Sequence, residues 1–151
     1  MEILFAEEFI RLKYPAVDKK SLLQEMVSDL QDKNVVAADE EFFNQIWKRE
    51  SIMSTGIGRN IAIPHSCHEN AFKFVISVWQ LAEPIPFGSI DDKPVAIVFL
   101  IAVPRDLQDR YMKVLSAISN FVRQPGNIDK LRSVSTKPEM IKLLTQINIK
   151  D

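Results

Sequence analysis

The sequence has a single cysteine, Cys67, among 151 residues, so a disulfide framework within the chain is excluded. This favours a reducing compartment such as the cytoplasm. An excess of either charge is also missing, because 19 basic and 20 acidic residues give a net charge of −1. Nucleic acid and anionic membranes are therefore poor candidates as partners. The longest apolar run, Val95 to Val103, has about half the length that a membrane-spanning helix needs.

The first residues, MEILFAEEF, lack the basic flank and the long apolar stretch of a signal peptide. We therefore expect a cytoplasmic protein with no direct membrane insertion. Apolar residues make up 46% of the chain and charged residues 26%, which is typical of a globular protein. Since no repeat or Gly/Ser-rich linker divides the sequence, it predicts one domain over residues 1–151.

Hydrophobic spacing predicts strands alternating with helices. The predicted strands cover about residues 8–14, 60–64, 72–81 and 95–103. Five helices are predicted. The first follows an N-cap at Asp18, the second runs from Asp39 to about residue 50, and the third begins near Asp106. The last two cover residues 127–134 and 138–147. Residues 54–60 and 83–94 are predicted loops, and the continuous apolar run at 95–103 is typical of a strand covered on both faces. The pattern predicts an α/β layered sandwich, with a mixed β-sheet flanked by helices on both faces.

The two histidines of the chain, His65 and His68, lie close together in the segment Ile-Pro-His-Ser-Cys-His-Glu. They are the side chains that ordinarily titrate near neutral pH. His65 directly follows Pro64 at the predicted end of a strand, where an imidazole can face solvent while its backbone is held. A surface histidine without a role fits the same position.

Arg49 and the glycine-containing segment before His65 offer groups that bind anions. Gly56 and Gly58 expose backbone N–H groups, and Arg59 adds a guanidinium, a combination that suits phosphate. Arg49 stands at a predicted helix end, from which it can reach over the same site or simply offset the helix dipole. A G-x-G turn alone is a weak signal, because the full dinucleotide and Walker patterns are missing.

A metal site and a cysteine nucleophile are weaker alternatives for the same segment. His65, Cys67, His68 and Glu69 have no common zinc spacing, and no second Cys/His pair exists elsewhere in the chain. Neighbouring residues in an extended segment point in opposite directions, which disfavours a Cys67–His68 pair.

The segment from Lys48 to His65, KRESIMSTGIGRNIAIPH, resembles the signature of enzyme IIA domains of the phosphoenolpyruvate-dependent sugar phosphotransferase system. The match is to the fructose/mannitol class, which includes the nitrogen-regulatory IIA proteins. A looser resemblance extends over about residues 8–147. It implies a mixed sheet flanked by helices and a phosphotransferase component with a phosphohistidine intermediate (EC 2.7.1.-).

The resemblance also implies roles for individual residues. His65 would accept a phosphoryl group from the histidine phosphocarrier protein, and Arg49 would help to hold that group. The next partner would be a IIB domain of a sugar transporter, or a regulated protein that responds to the phosphorylation state. No metal and no cofactor are implied. Apolar side chains near His65 would form the docking surface, with Met53, Ile57 and Phe87 as candidates.

The sequence departs from the family pattern at two positions. Ser66 replaces the usual glycine after the active histidine, and Tyr111 stands where a second histidine usually flanks the phosphohistidine. Tyrosine can donate one hydrogen bond to a phosphate but cannot supply a cationic imidazolium. We therefore expect a competent but slower carrier, and a non-phosphorylated regulatory binding module of the same fold is the alternative. A stand-alone chain of this length fits the regulatory type somewhat better than the transport type.

Overall fold

The computed structural model describes residues 5–37, 39–52, 54–147 and 149, and within them six strands and five α-helices. The strands are β1 (Ile10–Tyr14), β2 (Gly56–Gly58), β3 (Ile61–Ala62), β4 (His65–His68), β5 (Val75–Ile85) and β6 (Val95–Pro104). The helices are α1 (Lys19–Asp32), α2 (Asp39–Ile52), α3 (Gln108–Arg123), α4 (Asn127–Ser133) and α5 (Lys137–Leu144). Short 3₁₀ turns, Glu7–Phe9 and Arg105–Leu107, precede β1 and α3.

The six strands form one mixed sheet, which confirms the predicted fold class. Its order is β1-β5-β6-β3-β2, and β4 pairs with β6 beyond the end of β3. The central pair β5–β6 is antiparallel, whereas β1 is parallel to β5 and both β3 and β4 are parallel to β6. The short strand β2 closes this edge by antiparallel pairing with β3.

Strand β6 is buried along its whole length, as its apolar composition predicts. Its side chains alternate between two hydrophobic clusters because successive residues of a strand point to opposite faces. Val98, Leu100 and Ala102 pack with α1 and α2, and Ile97, Phe99, Ile101 and Val103 pack with α3, α4 and α5. The sheet therefore lies between two helical layers.

The helices begin and end close to the predicted positions. The Asp18 carboxylate accepts a hydrogen bond from the Ser21 N–H at 2.8 Å, which confirms the N-cap of α1. Helix α2 begins at Asp39 and extends two residues past the predicted end, to Ile52. In the described part of the chain, we find no helix with the length and apolar character required to cross a membrane.

The predicted loop at residues 54–60 is only partly a loop. It contains β2, which forms a hairpin with β3 in which Gly58 pairs with Ile61. The two residues of the turn, Arg59 and Asn60, have left-handed φ angles of 57° and 68°. Two-residue hairpin turns of this kind usually contain Asn-Gly or Asp-Gly, so Arg-Asn gave no strong hairpin signal.

Two further predictions about strands were wrong in detail. Strand β5 continues to Ile85, inside the predicted loop at 83–94. His65 does follow the end of β3, but it also begins a further strand that was not predicted, β4, because β6 is longer than β3 and offers further pairing positions after Pro64.

Gly56 is required by a close approach between β2 and the loop after β5. A Cβ atom at this position would overlap the Ser89 hydroxyl and lie 3.1 Å from Ser89 Cα. We expect Gly56→Ala to lower the free energy of unfolding by about 1–3 kcal/mol through overpacking, measured by urea denaturation.

The Ser89 variants supply the control. The Ser89 hydroxyl is buried without a hydrogen-bond partner among the described residues, so Ser89→Ala alone should cost little. The double variant Gly56→Ala/Ser89→Gly should recover most of the lost stability. A Gly56→Ala protein as stable as the parent would contradict the close approach.

Candidate functional site

The backbone around His65 is held by the central strand. Strands β3 and β4 pair with successive stretches of β6, and His65 lies opposite Ile101 in the parallel register. The Ile101 N–H donates to the Pro64 carbonyl at 2.9 Å, which secures the bend between the two short strands. His65 therefore projects from a fixed backbone and is partly buried.

Both ring nitrogens of His65 have a partner. Nδ1 lies 2.9 Å from the Ile63 carbonyl oxygen, and Nε2 lies 2.6 Å from the Tyr111 hydroxyl. Since a carbonyl can only accept, Nδ1 carries the proton, and in the neutral ring Nε2 is the acceptor to which Tyr111 donates. The contact to the Ile63 carbonyl therefore fixes the tautomer. The ring centroids of His65 and Tyr111 are 4.5 Å apart in an edge-on arrangement.

Burial keeps the His65 ring neutral. It is the largest influence and lowers the pKa of His65 below its ordinary value. The bond to the Ile63 carbonyl raises this pKa, the Arg49 charge lowers it, and the Glu50 charge raises it. Burial also raises the pKa of the Tyr111 hydroxyl, with Arg49 opposing the effect. A neutral imidazole faces a protonated phenol at neutral pH, which is the state a nitrogen nucleophile needs.

Arg49 lies in the last turn of α2, as predicted, and its side chain is exposed. Its positive charge acts on both His65 and Tyr111, which places the guanidinium within electrostatic reach of the pair. The structure thus brings His65 and Tyr111 into contact, and the charge of Arg49 acts on both.

Glu50 has a structural role that sequence reasoning missed. Its carboxylate is buried, and both oxygens accept the Thr55 N–H at 3.1 Å. Lys19 forms an ion pair with it at 2.8 Å and also donates to the Phe87 carbonyl. The network ties the end of α2 to the segment that leads into β2. An acidic residue directly after Arg49 was the available signal, but its burial depends on the fold.

His68 lies on the opposite face of β4 from His65. Its Nε2 is 3.9 Å from the Glu41 carboxylate, and a ligand atom of Glu69 completes a group whose members lie within 4.8 Å of one another. His68 Nδ1 accepts the Asn70 N–H at 3.0 Å, so in the neutral ring the proton is on Nε2. The nitrogen nearest the Glu41 carboxylate, Nε2, is therefore a donor in the neutral ring and lacks the lone pair that a metal ion requires.

The segment predicted to bind phosphate makes other contacts. The Arg59 N–H donates to the Asp91 carboxylate at 3.0 Å, and the Arg59 guanidinium donates to the Arg123 carbonyl at 2.9 Å. Gly58 packs next to the same Asp91 carboxylate. A phosphate-binding role for Gly56, Gly58 and Arg59 at His65 stays a prediction.

The predicted docking residues differ in how much of each side chain is exposed. Ile57 is 41% exposed, whereas Phe87 is only 2% exposed and packs beneath Lys19, so Phe87 is wrong as a surface residue. Met53 lies outside the described residues. The exposed apolar side chains that sequence reasoning missed include Met112, next to Tyr111, and Ile90, whose N–H donates to the β2 backbone.

The fold is shared with enzyme IIA structures. A nitrogen regulatory protein IIA-Ntr from Neisseria meningitidis is similar with a TM-score of 0.86 and 27% identity, over 92% of this chain and 94% of that chain. Mannitol enzyme IIA of Escherichia coli, in its complex with phosphorylated mannitol IIB, has a TM-score of 0.84 at 21% identity, over 96% and 99% of the two chains. The second likeness shows the fold alone.

The sequence comparisons agree with the fold. The family model of the phosphoenolpyruvate-dependent sugar phosphotransferase system, EIIA 2, matches residues 3–147, and the chain therefore belongs to this family. It is 31% identical over 141 residues to a nitrogen regulatory protein of Klebsiella oxytoca, which covers 93% of this chain and 86% of that protein. The resemblance read from the segment ending at His65 is thereby confirmed.

The protonation state of His65 is directly testable. We expect nitrogen NMR of the imidazole at neutral pH to show the tautomer protonated on Nδ1, with a titration midpoint below the ordinary value of about 6.5. Because the folded pKa is lowered, this group's contribution to stability is present above the unfolded pKa and is lost as pH falls through the folded pKa.

His65→Ala identifies the resonances by their loss. A ring protonated on Nε2 at neutral pH, or a midpoint at or above 6.5, would contradict the geometry.

Proposed function

We propose that this protein is a cytoplasmic phosphohistidine carrier in which His65 accepts a phosphoryl group from the histidine phosphocarrier protein. Membership of the EIIA family supports the general role. The group then passes to a IIB domain, or its presence signals to a regulated protein. The IIB route is supported by the E. coli mannitol IIA, which is similar in fold and occurs in a complex with phosphorylated IIB. The signalling route is supported by the similarity to nitrogen regulatory proteins.

One observation carries the proposal: the His65 ring is fixed in the tautomer whose Nε2 lone pair is directed away from the backbone. Nδ1 is 2.9 Å from the Ile63 carbonyl oxygen, which accepts its proton in a hydrogen bond, and burial lowers the pKa so that the ring is neutral. A positioned neutral imidazole can attack phosphorus without first losing a proton.

In the proposed step, the Nε2 lone pair of His65 forms a bond to phosphorus while the bond between phosphorus and the donor imidazole breaks. The donor nitrogen takes the bonding electron pair, and the two nitrogens lie in line. The Tyr111 hydroxyl donates a hydrogen bond to Nε2 before the reaction. As the Nε2 lone pair bonds to phosphorus, this hydroxyl donates to a phosphoryl oxygen instead. The Arg49 guanidinium binds another oxygen through a charge-assisted hydrogen bond.

A second candidate function is a regulatory binding module that is never phosphorylated. The observation that favours it is the 2.6 Å hydrogen bond between the Tyr111 hydroxyl and His65 Nε2, because this bond occupies the lone pair of Nε2. A hydrogen bond between neutral groups has a net value of only about 0.5–1.5 kcal/mol, so it delays attack without preventing it. We therefore favour the carrier.

We expect incubation with phosphoenolpyruvate, enzyme I and the phosphocarrier protein to add one acid-labile phosphoryl group, measured by intact-mass spectrometry. His65→Ala should remove the addition, and His68→Ala, which changes the histidine on the opposite face of β4, is the matched control that should retain it. A phosphoryl group on His68, or none in the parent protein, would count against the proposal. If the parent protein is not phosphorylated but still binds its partner, it is the regulatory binding module and not the carrier.

Tyr111 should accelerate transfer modestly. Its bond to neutral Nε2 is exchanged for a stronger bond to a charged phosphoryl oxygen, at about 0.5–1.5 against 1.5–3 kcal/mol net. Tyr111→Phe loses both bonds, and the difference predicts a fall in transfer rate of up to about tenfold. Tyr111→His should restore or raise the rate, because an imidazolium adds positive charge.

Rapid-quench measurement of phosphoryl transfer compares the three proteins, with thermal unfolding as the control for folding. Equal rates for the parent, Phe and His proteins would show that Tyr111 only packs its ring on the apolar face of α3.

A further inference from the structure

A polar cavity lies between the β2–β3 turn and helix α3, beside the proposed phosphoryl site. Its volume is about 480 Å³, within the usual range for small-molecule sites. One wall is formed by Gly58 and Arg59, and the other by the α3 residues Ser116, Ser119, Asn120 and Arg123. The α3 residues form one continuous stripe along the helix, because they recur at helical spacing.

The charge in this cavity is positive. Arg59 and Arg123 stand on its two walls, and no acidic side chain is among the described residues that line it. The whole chain has a net charge of −1, so this positive charge is local. The Asp91 carboxylate lies next to Gly58 and accepts the backbone N–H of Arg59, but it does not line the cavity. Two guanidinium groups on the walls of one cavity favour an anionic ligand.

The backbone directs Arg59 into this position. Arg59 and Asn60 both have left-handed φ angles, a conformation that is unfavourable for side chains larger than glycine. Asp91 accepts the Arg59 N–H, and the Asn60 amide donates to the Pro94 carbonyl at 2.8 Å, so contacts on both residues hold the turn. The turn is therefore fixed with the Arg59 side chain reaching across to α3.

Capping of α3 explains part of this arrangement. Arg59 Nη1 donates to the Arg123 carbonyl at 2.9 Å, near the negative end of the helix dipole. A guanidinium has five N–H donors, and this bond uses one of them. Arg123 in turn donates to the Asn120 side chain. Capping does not account for the second guanidinium or for the two serine hydroxyls on the opposite wall.

We propose that this cavity binds a small organic phosphate ester that carries hydroxyl groups. A phosphate dianion matches two guanidiniums, whereas a single carboxylate would leave one cation without a partner. Ser116, Ser119 and Asn120 offer hydrogen bonds to hydroxyl groups, and Leu115 and Val122 offer an apolar wall to a carbon skeleton. Leu115 is one helical turn from Tyr111, about 6 Å along α3, so the ligand lies beside the proposed phosphoryl site.

This site does not rest on the proposed function, because binding is measured on the unphosphorylated chain. The probe is glucose 6-phosphate, added to nitrogen-labelled protein and followed by backbone amide shifts. Inorganic phosphate and glucose are separate arms that divide the contribution of the phosphate from that of the hydroxyl groups. Arg59→Ala and Arg123→Ala test the two cations, and Arg132→Ala, which removes an exposed arginine on α4, is the control for charge.

We expect saturable shifts at Ile57, Ser116 and Asn120, with glucose 6-phosphate binding more tightly than inorganic phosphate or glucose. Arg59→Ala and Arg123→Ala should each weaken binding about tenfold or more, and Arg132→Ala should leave it unchanged. A cooperative thermal transition above the assay temperature shows that each variant is folded, since loss of the Arg59 cap should by itself lower the unfolding temperature of Arg59→Ala. Shifts that do not saturate, equal affinity for inorganic phosphate and the ester, or equal weakening by Arg132→Ala would each overturn the proposal.

Discussion

The parallel pairing of two short strands with one edge of β6 determines where the chemistry of this protein can occur. β3 pairs with Ile97 and Val98, and after the bend at Pro64 the chain resumes pairing with Ile101. Because β6 is buried on both faces, this edge is rigid. The bend also places the Ile63 carbonyl within hydrogen-bond distance of the His65 ring, so the tautomer follows from the sheet register.

Burial has the largest influence on both rings of the site, and Arg49 is the charged side chain that acts on both of them. Its charge lowers the pKa of His65 and of Tyr111, in the same direction as burial for the imidazole and against it for the phenol. A second histidine at position 111 could itself become charged, whereas a tyrosine stays neutral over the same pH range. Tyrosine at position 111 therefore places a hydrogen-bond donor, but no pH-dependent charge, beside the proposed nucleophile.

The sequence alone predicted the layered fold, the helix positions and the family, because these follow from periodicity and a local motif. Contacts between distant segments were harder to predict from periodicity. That Tyr111 flanks His65, 46 positions away, was expected only from the family resemblance, because the contact depends on α3 packing on the face of the sheet. Phe87 reads as a surface residue beside a proline-rich loop, yet packing beneath Lys19 buries it. The left-handed turn at Arg59 lacks the usual glycine, so the hairpin was missed.

The position of phosphorus on the imidazole tests the account most directly. Nitrogen-labelled protein, phosphorylated through the phosphocarrier, can be examined by NMR for the ring nitrogen that couples to phosphorus. The fixed tautomer, with Nδ1 bonded to the Ile63 carbonyl, predicts that phosphorus is on Nε2 of His65. Phosphorus on Nδ1 of His65, or on either nitrogen of His68, would contradict it.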